Sequence, residues 1–342
     1  MIAFSQIFLC LLAVFTALCA QNGSSRHTPN VITQSHGKLV RTQVRITGST
    51  TLFPLVLRAS EEFSSFSSFP MPLIMNPGTN RGINHFCSAR KDIGYDILMA
   101  SREMTPVDLK TCHANGFNRI TKISLGRDGI ALVTHKKNLA LSGLTHKELF
   151  RALASKVPDG SGALIPNPHM TWADINPQFP PQAIRILVPS ANHGTRDALF
   201  AHIFASSNQK NSSLRTDGAI IVITPLQAAD EHDLFFQALR DNPETIGIVG
   251  SNLWEAQRSD IRAIPFNGIS PTKKAIRTGT YPLSRGLFLY VHEERSREVL
   301  SMKDFLGEIT SRDACGTKGY LTMLGLIPLA SGNGSLRTRV LE

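Results

Sequence analysis

Residues 44–66 read VRITGSTTLFPLVLRASEEFSSF. The opening Val44-Arg45-Ile46-Thr47 predicts a strand, and residues 51–66 predict a helix. Pro54 falls in the first turn of that helix, where a missing N–H is tolerated. Between the two lies Gly48-Ser49-Thr50-Thr51. A helix start leaves unpaired backbone N–H groups and a positive dipole end, so it holds an anion well. Neighbouring Ser and Thr hydroxyls donate further hydrogen bonds, and glycine lets an oxyanion approach the backbone.

The same design recurs along the chain. A strand at 72–76 leads through Gly78-Thr79-Asn80-Arg81-Gly82 to a helix over 81–87, and a strand at 96–100 leads into Ala100-Ser101-Arg102-Glu103. A strand at 184–188 leads through Asn192-His193-Gly194-Thr195-Arg196-Asp197 to a helix over 195–205. One such loop is weak evidence, because Ser and Thr cap helices in any protein. Several in one chain, two of them followed or closed by arginine, point to a tetrahedral oxyanion. Arg102 and Arg196 would supply the strong, charge-assisted bonds. Arg81 either joins them or stands exposed on its helix.

Outward from these loops, short β-like runs alternate with helical stretches, the pattern of an α/β protein. Thr105-Pro106-Val107-Asp108 opens a helix that Gly116 ends. Residues 120–135 form a long β-rich stretch, read as interrupted at Gly126 and Gly129. Thr145-His146-Lys147-Glu148 is a capping box for a helix over 149–155, and 156–182, rich in Pro and Gly, reads as irregular. Further strands are expected at 219–224, 245–249, 261–265 and 287–292. Further helices are expected at 233–239, 252–257, 297–310 and 319–326. His292-Glu293-Glu294 reads as a strand end on the surface.

Residues 1–20, MIAFSQIFLCLLAVFTALCA, carry no charge and end in small residues before a polar stretch. That is the layout of a cleaved secretory signal, although no Lys or Arg precedes the apolar run. Residues 21–40 read as a flexible leader. The chain carries a formal charge of +10, yet its basic residues are scattered and aromatics make up only 7%. A nucleic-acid platform, which interleaves the two, is therefore not expected.

Cys10 and Cys19 would leave with the signal, and Cys87, Cys112 and Cys315 would remain in an oxidising compartment. At most one pair forms within the chain. Cys87–Cys112 is the pair expected, and three buried thiols are the alternative. No cofactor and no metal site are expected. There is no Gly-x-Ser-x-Gly elbow, no His-Glu-x-x-His and no carboxylate cluster with metal spacing, so an enzyme is not expected either.

Taken together, the motifs resemble the periplasmic phosphate-binding proteins of ABC transporters. Thr47-Gly48-Ser49-Thr50-Thr51-Leu52-Phe53-Pro54 looks like the family's first ligand loop. Asn76-Pro77-Gly78-Thr79-Asn80-Arg81-Gly82-Ile83, Phe86-Cys87-Ser88 and Asp96-Ile97-Leu98-Met99-Ala100-Ser101-Arg102 follow in the family's order. So do Gly126-Arg127-Asp128-Gly129-Ile130, Thr171-Trp172-Ala173-Asp174, Gly194-Thr195-Arg196-Asp197 and Tyr281-Pro282-Leu283-Ser284-Arg285. The likeness covers about residues 41–330.

The resemblance implies a type II periplasmic-binding-protein fold: two doubly wound lobes joined by two β-crossover hinges, with ligand in the cleft. Lobe one would be 41–126 plus 286–342, lobe two 127–285, with hinges near 126–129 and 284–287. It implies ligand contacts at Thr50, Thr51, Leu52, Thr79, Asn80, Ser101 and Arg102 from lobe one. His193, Gly194, Thr195 and Arg196 would contribute from lobe two. Members with a Phe-Cys-Ser segment also pair the cysteines matching Cys87 and Cys112. The implied function is capture of inorganic phosphate, or a related oxyanion, by a periplasmic monomer that delivers it to a membrane permease. A non-transport sensor or surface protein with a changed ligand is the alternative.

Three positions depart from the family pattern. His193 stands where Ser is usual, Asn192 where Asp is common, and Met99 where a polar residue is frequent. A phosphate ion still carries a proton near neutral pH, and a buried acceptor for that proton is how a site rejects sulfate. Asp197 is the nearest candidate acceptor. Neutral His193 would accept the proton, and as imidazolium it would strengthen anion binding in acid. The other reading of His193 is an N-cap neighbour without ligand contact. The expectation is phosphate binding with weakened selectivity.

Overall fold

The computed structural model describes residues 33–35, 38–88, 94–189, 194–204, 213–222, 228–255, 257–329 and 338–341. The expected signal lies outside the described residues. Part of the expected leader forms an antiparallel pair, β1 (Thr33–Ser35) with β2 (Lys38–Val40).

The chain then lays down β3 (Arg45–Gly48), α1 (Phe53–Phe66), β4 (Leu73–Met75), α2 (Thr79–Phe86), β5 (Ile97–Ala100) and α3 (Pro106–Ala114). β4, β3 and β5 are parallel neighbours, so their carboxyl ends and the helix starts that follow share one end of the sheet. Next come β6 (Ile120–His135), α4 (His146–Leu153), β7 (Lys156–Pro158), β8 (Leu164–Pro166), α5 (Trp172–Ile175), β9 (Ile186–Val188), α6 (Gly194–Ile203) and β10 (Ile220–Val222). The remainder is α7 (Ala228–Asp241), β11 (Ile246–Gly250), α8 (Ser251–Glu255), β12 (Ile261–Ile264), α9 (Lys273–Thr278), β13 (Ser284–His292), α10 (Glu293–Ser296), α11 (Met302–Ile309), α12 (Arg312–Cys315), α13 (Tyr320–Met323) and β14 (Thr338–Leu341).

One mixed sheet runs through the molecule in the order β10-β9-β11-β6-β13-β5-β3-β4, with β12 and β14 also paired to β6. β9, β10 and β11 are parallel among themselves. The two long strands β6 and β13 are antiparallel partners from Gly129↔Ser284 to Ile120↔His292, with a register shift between Leu287 and Phe288. Buried Arg285 and Asp128 form an ion pair at 2.9 Å between them.

The apolar core changes partners along these strands. One group of clusters gathers side chains from Val44 to Leu125 and from Leu287 to Leu326, on both faces of the sheet. The other group gathers side chains from Ile130 to Leu283, joined by Ile327. Each fully buried Leu, Ile or Phe contributes roughly 1.5–3 kcal/mol. On one face α1 buries Leu55, Val56, Ala59 and Phe63, and Phe63 meets Phe305 of α11 edge to face at 5.6 Å. On the other face, Ile83 and Phe86 of α2 pack with Leu98 and Tyr290 beside the disulfide. Cys87 and Cys112 form that disulfide, with a Cα–Cα distance of 4.4 Å, and Cys315 is a buried free thiol.

Several sequence expectations need correction. β6 is one strand through Gly126 and Gly129, because both residues pair with β13, and the one register shift falls beside them at Leu125. The stretch read as irregular holds the hairpin β7–β8 and the capped helix α5. The helix expected over 297–310 is only α11, preceded by turns at 297–301, and α10 lies just before that range. α9 and α12 were not expected at all. His292 is not at the surface: it is fully buried between the rings of Phe86 and Phe117.

Candidate functional site

The loops after β3, β4 and β5 are tied together by their own backbones. Ser49 N–H donates to Met99 O at 2.8 Å, and Gly78 N–H donates to Gly48 O at 2.9 Å. Gly48 has φ +134°, a conformation open to glycine, and a Cβ there would collide with Met99 O. Gly82, in the first turn of α2, lies against Gly48 Cα so closely that a side chain has no room. Glycine at 48 and 82 lets a helix start sit directly on a strand end.

Side chains then close the arrangement. The Thr79 and Ser101 hydroxyls are 3.1 Å apart, and Ser101 N–H donates to Thr79 Oγ1 at 3.3 Å. Arg102 donates from Nε and Nη2 to Asn80 Oδ1 at 3.1 and 2.8 Å. Its Nη1 donates to Asp108 Oδ2 at 2.7 Å and to Glu103 O at 2.8 Å. A guanidinium has five N–H donors, so Arg102 is largely committed before any ligand arrives, with one Nη2 hydrogen left over. Burial pushes the Asp108 carboxyl up, but its bonds from Arg102 and Thr105 outweigh this and hold it below the usual carboxylate range.

At the head of α1, Leu52 is fully buried as the N-cap residue, and Pro54 sits in the first turn as expected. Thr50 lies in the adjoining turn. Thr51 N–H donates to Ser49 Oγ at 3.2 Å, while Thr51 Oγ1 is buried with no hydrogen-bond partner among the described residues. A buried hydroxyl without a partner costs about 1–3 kcal/mol, and a bound oxyanion would relieve it.

The second group of expected contacts starts α6. Gly194 is its first residue, Thr195 is 5% exposed, and Arg196 donates to Pro189 O at 3.2 Å with its guanidinium 5.9 Å from the Phe200 ring centre. No hydrogen bond or ion pair joins Arg196 to the first three loops among the described residues. His193 and Asn192 lie outside the described residues, as does the side chain of Asp197. Met99, noted as a departure, proves to be core: its side chain is fully buried beside α1, and only its carbonyl serves the site.

Sequence reading missed Asp108 as a member of the site. Its capping role was legible, and the structure gives the same carboxylate a second role: it caps α3 and braces Arg102. Tyr290 was also missed. Its hydroxyl accepts from Met104 N–H at 2.9 Å, fixing the far end of the Arg102 loop.

The PBP superfamily domain model matches residues 33–313. The Phosphate-binding protein PstS of Staphylococcus saprophyticus is 24% identical over 269 residues, covering 77% of this chain and 74% of that protein. Protein SphX of Synechocystis sp. is 26% identical over 313 residues, covering 90% and 82%. Among solved structures, a possible phosphate binding protein from Planctomyces limnophilus superposes with a TM-score of 0.68 at 20% identity, covering 84% of this chain and 93% of that one. The structural likeness is one of fold, and it agrees with the two-lobed α/β architecture expected from the sequence.

Proposed function

The chain belongs to the PBP superfamily, and from that premise we propose that it captures inorganic phosphate, or a similar tetrahedral oxyanion, and delivers it to an ABC importer. The ligand sits in a cleft between lobe one, 41–126 plus 286–342, and lobe two, 127–285. The observation that carries this reading is the convergence of three strand-to-helix loops, tied backbone to backbone, where the Thr79 and Ser101 hydroxyls meet, Arg102 reaches Asn80, and the Thr51 hydroxyl is buried with no partner among the described residues. The similar PstS of Staphylococcus saprophyticus is a phosphate-binding protein, which supports this reading.

In this reading the protein is a binder and not an enzyme, exported to the periplasm through a cleaved signal and working as a monomer. Lobe one receives the anion first, on the helix starts of α1 and α2. Rotation about 126–129 and 284–287, where the core changes partners, then brings the start of α6 onto it. The Gly194 N–H, Thr195 and Arg196 complete the shell, with Arg196 exchanging Pro189 O for the ligand. His193 follows as the residue that sets selectivity for the protonated anion.

Isothermal titration with phosphate tests the reading. Saturable binding is expected, and no heat and no thermal shift at millimolar phosphate would sink it. Sulfate and arsenate in competition are expected to bind detectably, and their absence beside tight phosphate binding would remove the weakened selectivity assigned to His193. Arg196→Ala is expected to weaken phosphate binding by about 2 kcal/mol, through loss of a charge-assisted bond. Thr79→Ala removes one hydroxyl and its link to Ser101, for a smaller loss of about 1 kcal/mol. An unchanged affinity in either variant takes that residue out of the shell.

A further inference from the structure

A cavity of about 490 Å³ lies away from the oxyanion loops: none of Thr51, Thr79, Ser101, Thr195 or Arg196 lines it. One wall is α8 and α9, and the other is α13 with the segment that follows it. Two of its lining residues rest on β6. Ile327 exchanges two backbone hydrogen bonds of 2.9 Å with Arg127, and Ile276 lies directly over Gly129. The cavity therefore spans the place where the core changes partners.

Its lining mixes apolar and polar surface in similar shares, and its size falls in the range of small-molecule sites, about 300–1,000 Å³. Ile276, Met323, Leu326 and Ile327 supply the apolar surface. Three charges face it, Glu255, Lys273 and Arg277. Glu255 already serves Lys273 at 2.8 Å and Arg258 at 3.1 Å. Arg277 has no carboxylate partner among the described residues, and its Nε is buried without a hydrogen bond. A partly desolvated guanidinium without a counter-charge is costly unless an anion joins it. The Ser251 and Thr317 side chains add hydroxyl groups nearby.

We infer that this cavity binds a small organic monoanion with an apolar body, its charged head on Arg277 and its tail against Met323, Leu326 and Ile276. A carboxylate is the simplest such ligand. The site takes one negative charge because a single cation in it lacks a partner. An inorganic oxyanion fits it poorly, since half its wall offers nothing but methyl and methylene groups.

Hexanoate is the probe, titrated into the mature protein in phosphate-free buffer and followed by calorimetry. One saturable site per chain is expected, with hexanol failing to bind because it lacks the charge. Arg277→Met is expected to weaken hexanoate about tenfold or more, as loss of a bond to a charged group should. Met323→Trp, at a residue 78% exposed and so tolerant of change, blocks the cavity and gives the same loss. Arg196→Ala is expected to bind hexanoate as the unaltered protein does. No saturable binding up to about 10 mM, hexanoate binding by both cavity variants as tight as by the unaltered protein, or loss of binding in Arg196→Ala would each overturn the inference, the last by placing hexanoate in the oxyanion site.

Discussion

Gly82→Ala is expected to abolish tight phosphate binding and to lower stability by about 2 kcal/mol, because overpacking against backbone costs roughly 1–3 kcal/mol. The new methyl group would lie within clashing distance of Gly48 Cα and 3.0 Å from Gly48 N, with Leu98 Cδ1 at 3.1 Å behind. Two of those atoms are main chain and cannot turn aside. The start of α2 must therefore lift from the end of β3, carrying Thr79 away from Ser101 and Asn80 away from Arg102. Binding and folding fail together because the same close approach serves both. Gly307→Ala is the control: it lies in α11 with open space around its Cβ position, and alanine there is expected to stabilise by about 0.5–1 kcal/mol. Calorimetry with phosphate and urea unfolding of both variants decide the matter. A Gly82→Ala protein that keeps full affinity would show that the loops need not touch.

The site was legible where it is local and hidden where it is not. A β-run, a Gly/Ser/Thr loop and a helix start are neighbours in sequence, so the loops at 48–51, 78–82 and 100–103 were readable one by one. Their joining through Met99 O and Gly48 O depends on which strands are neighbours, which no local pattern reveals. The same limit explains Met99, whose polar-to-apolar departure pointed at the ligand while its side chain belongs to the core under α1.

Glycine misled in a complementary way. Gly126 and Gly129 read as breaks, yet a Cβ at the first would strike Leu326 and Ile327, and at the second Ile276. They are small because other chain segments press on the strand, the usual meaning of glycine inside a strand. The pressure comes from residues well over a hundred positions away, outside the reach of local reading. Capping boxes at Thr105 and Thr145, by contrast, are complete within four residues, and both stand as read.

His292 leads to the second large effect, a loss of stability in acid. Its ring lies stacked at 3.7 Å on Phe86 and tilted at 4.1 Å against Phe117, with no exposed surface. One ring nitrogen, Nε2, meets Phe86 O at 2.8 Å; Nδ1 is buried with no hydrogen-bond partner among the described residues. Burial, with Arg295 adding repulsion, pushes its pKa down to about 3, against the opposing pull of the Phe86 carbonyl. A lowered pKa means that the unfolded chain takes up the proton first, from the ordinary value of 6.5 downward. The stability that His292 contributes is therefore complete above pH 6.5 and drains away as pH falls towards 3.

The slope in that window is up to about 1.4 kcal/mol per pH unit, so close to 3 kcal/mol disappears over two units. Other histidines and carboxylates titrate as well, and a substitution isolates the share of this one. His292→Gln keeps a donor for Phe86 O and removes the titration. Its urea stability at pH 7.5 is expected to fall below that of the unaltered protein, and the gap is expected to close or reverse by pH 4.5. Parallel curves for the two proteins across that range would show that His292 gains its proton as readily folded as unfolded, and that the aromatic cage does not exclude charge.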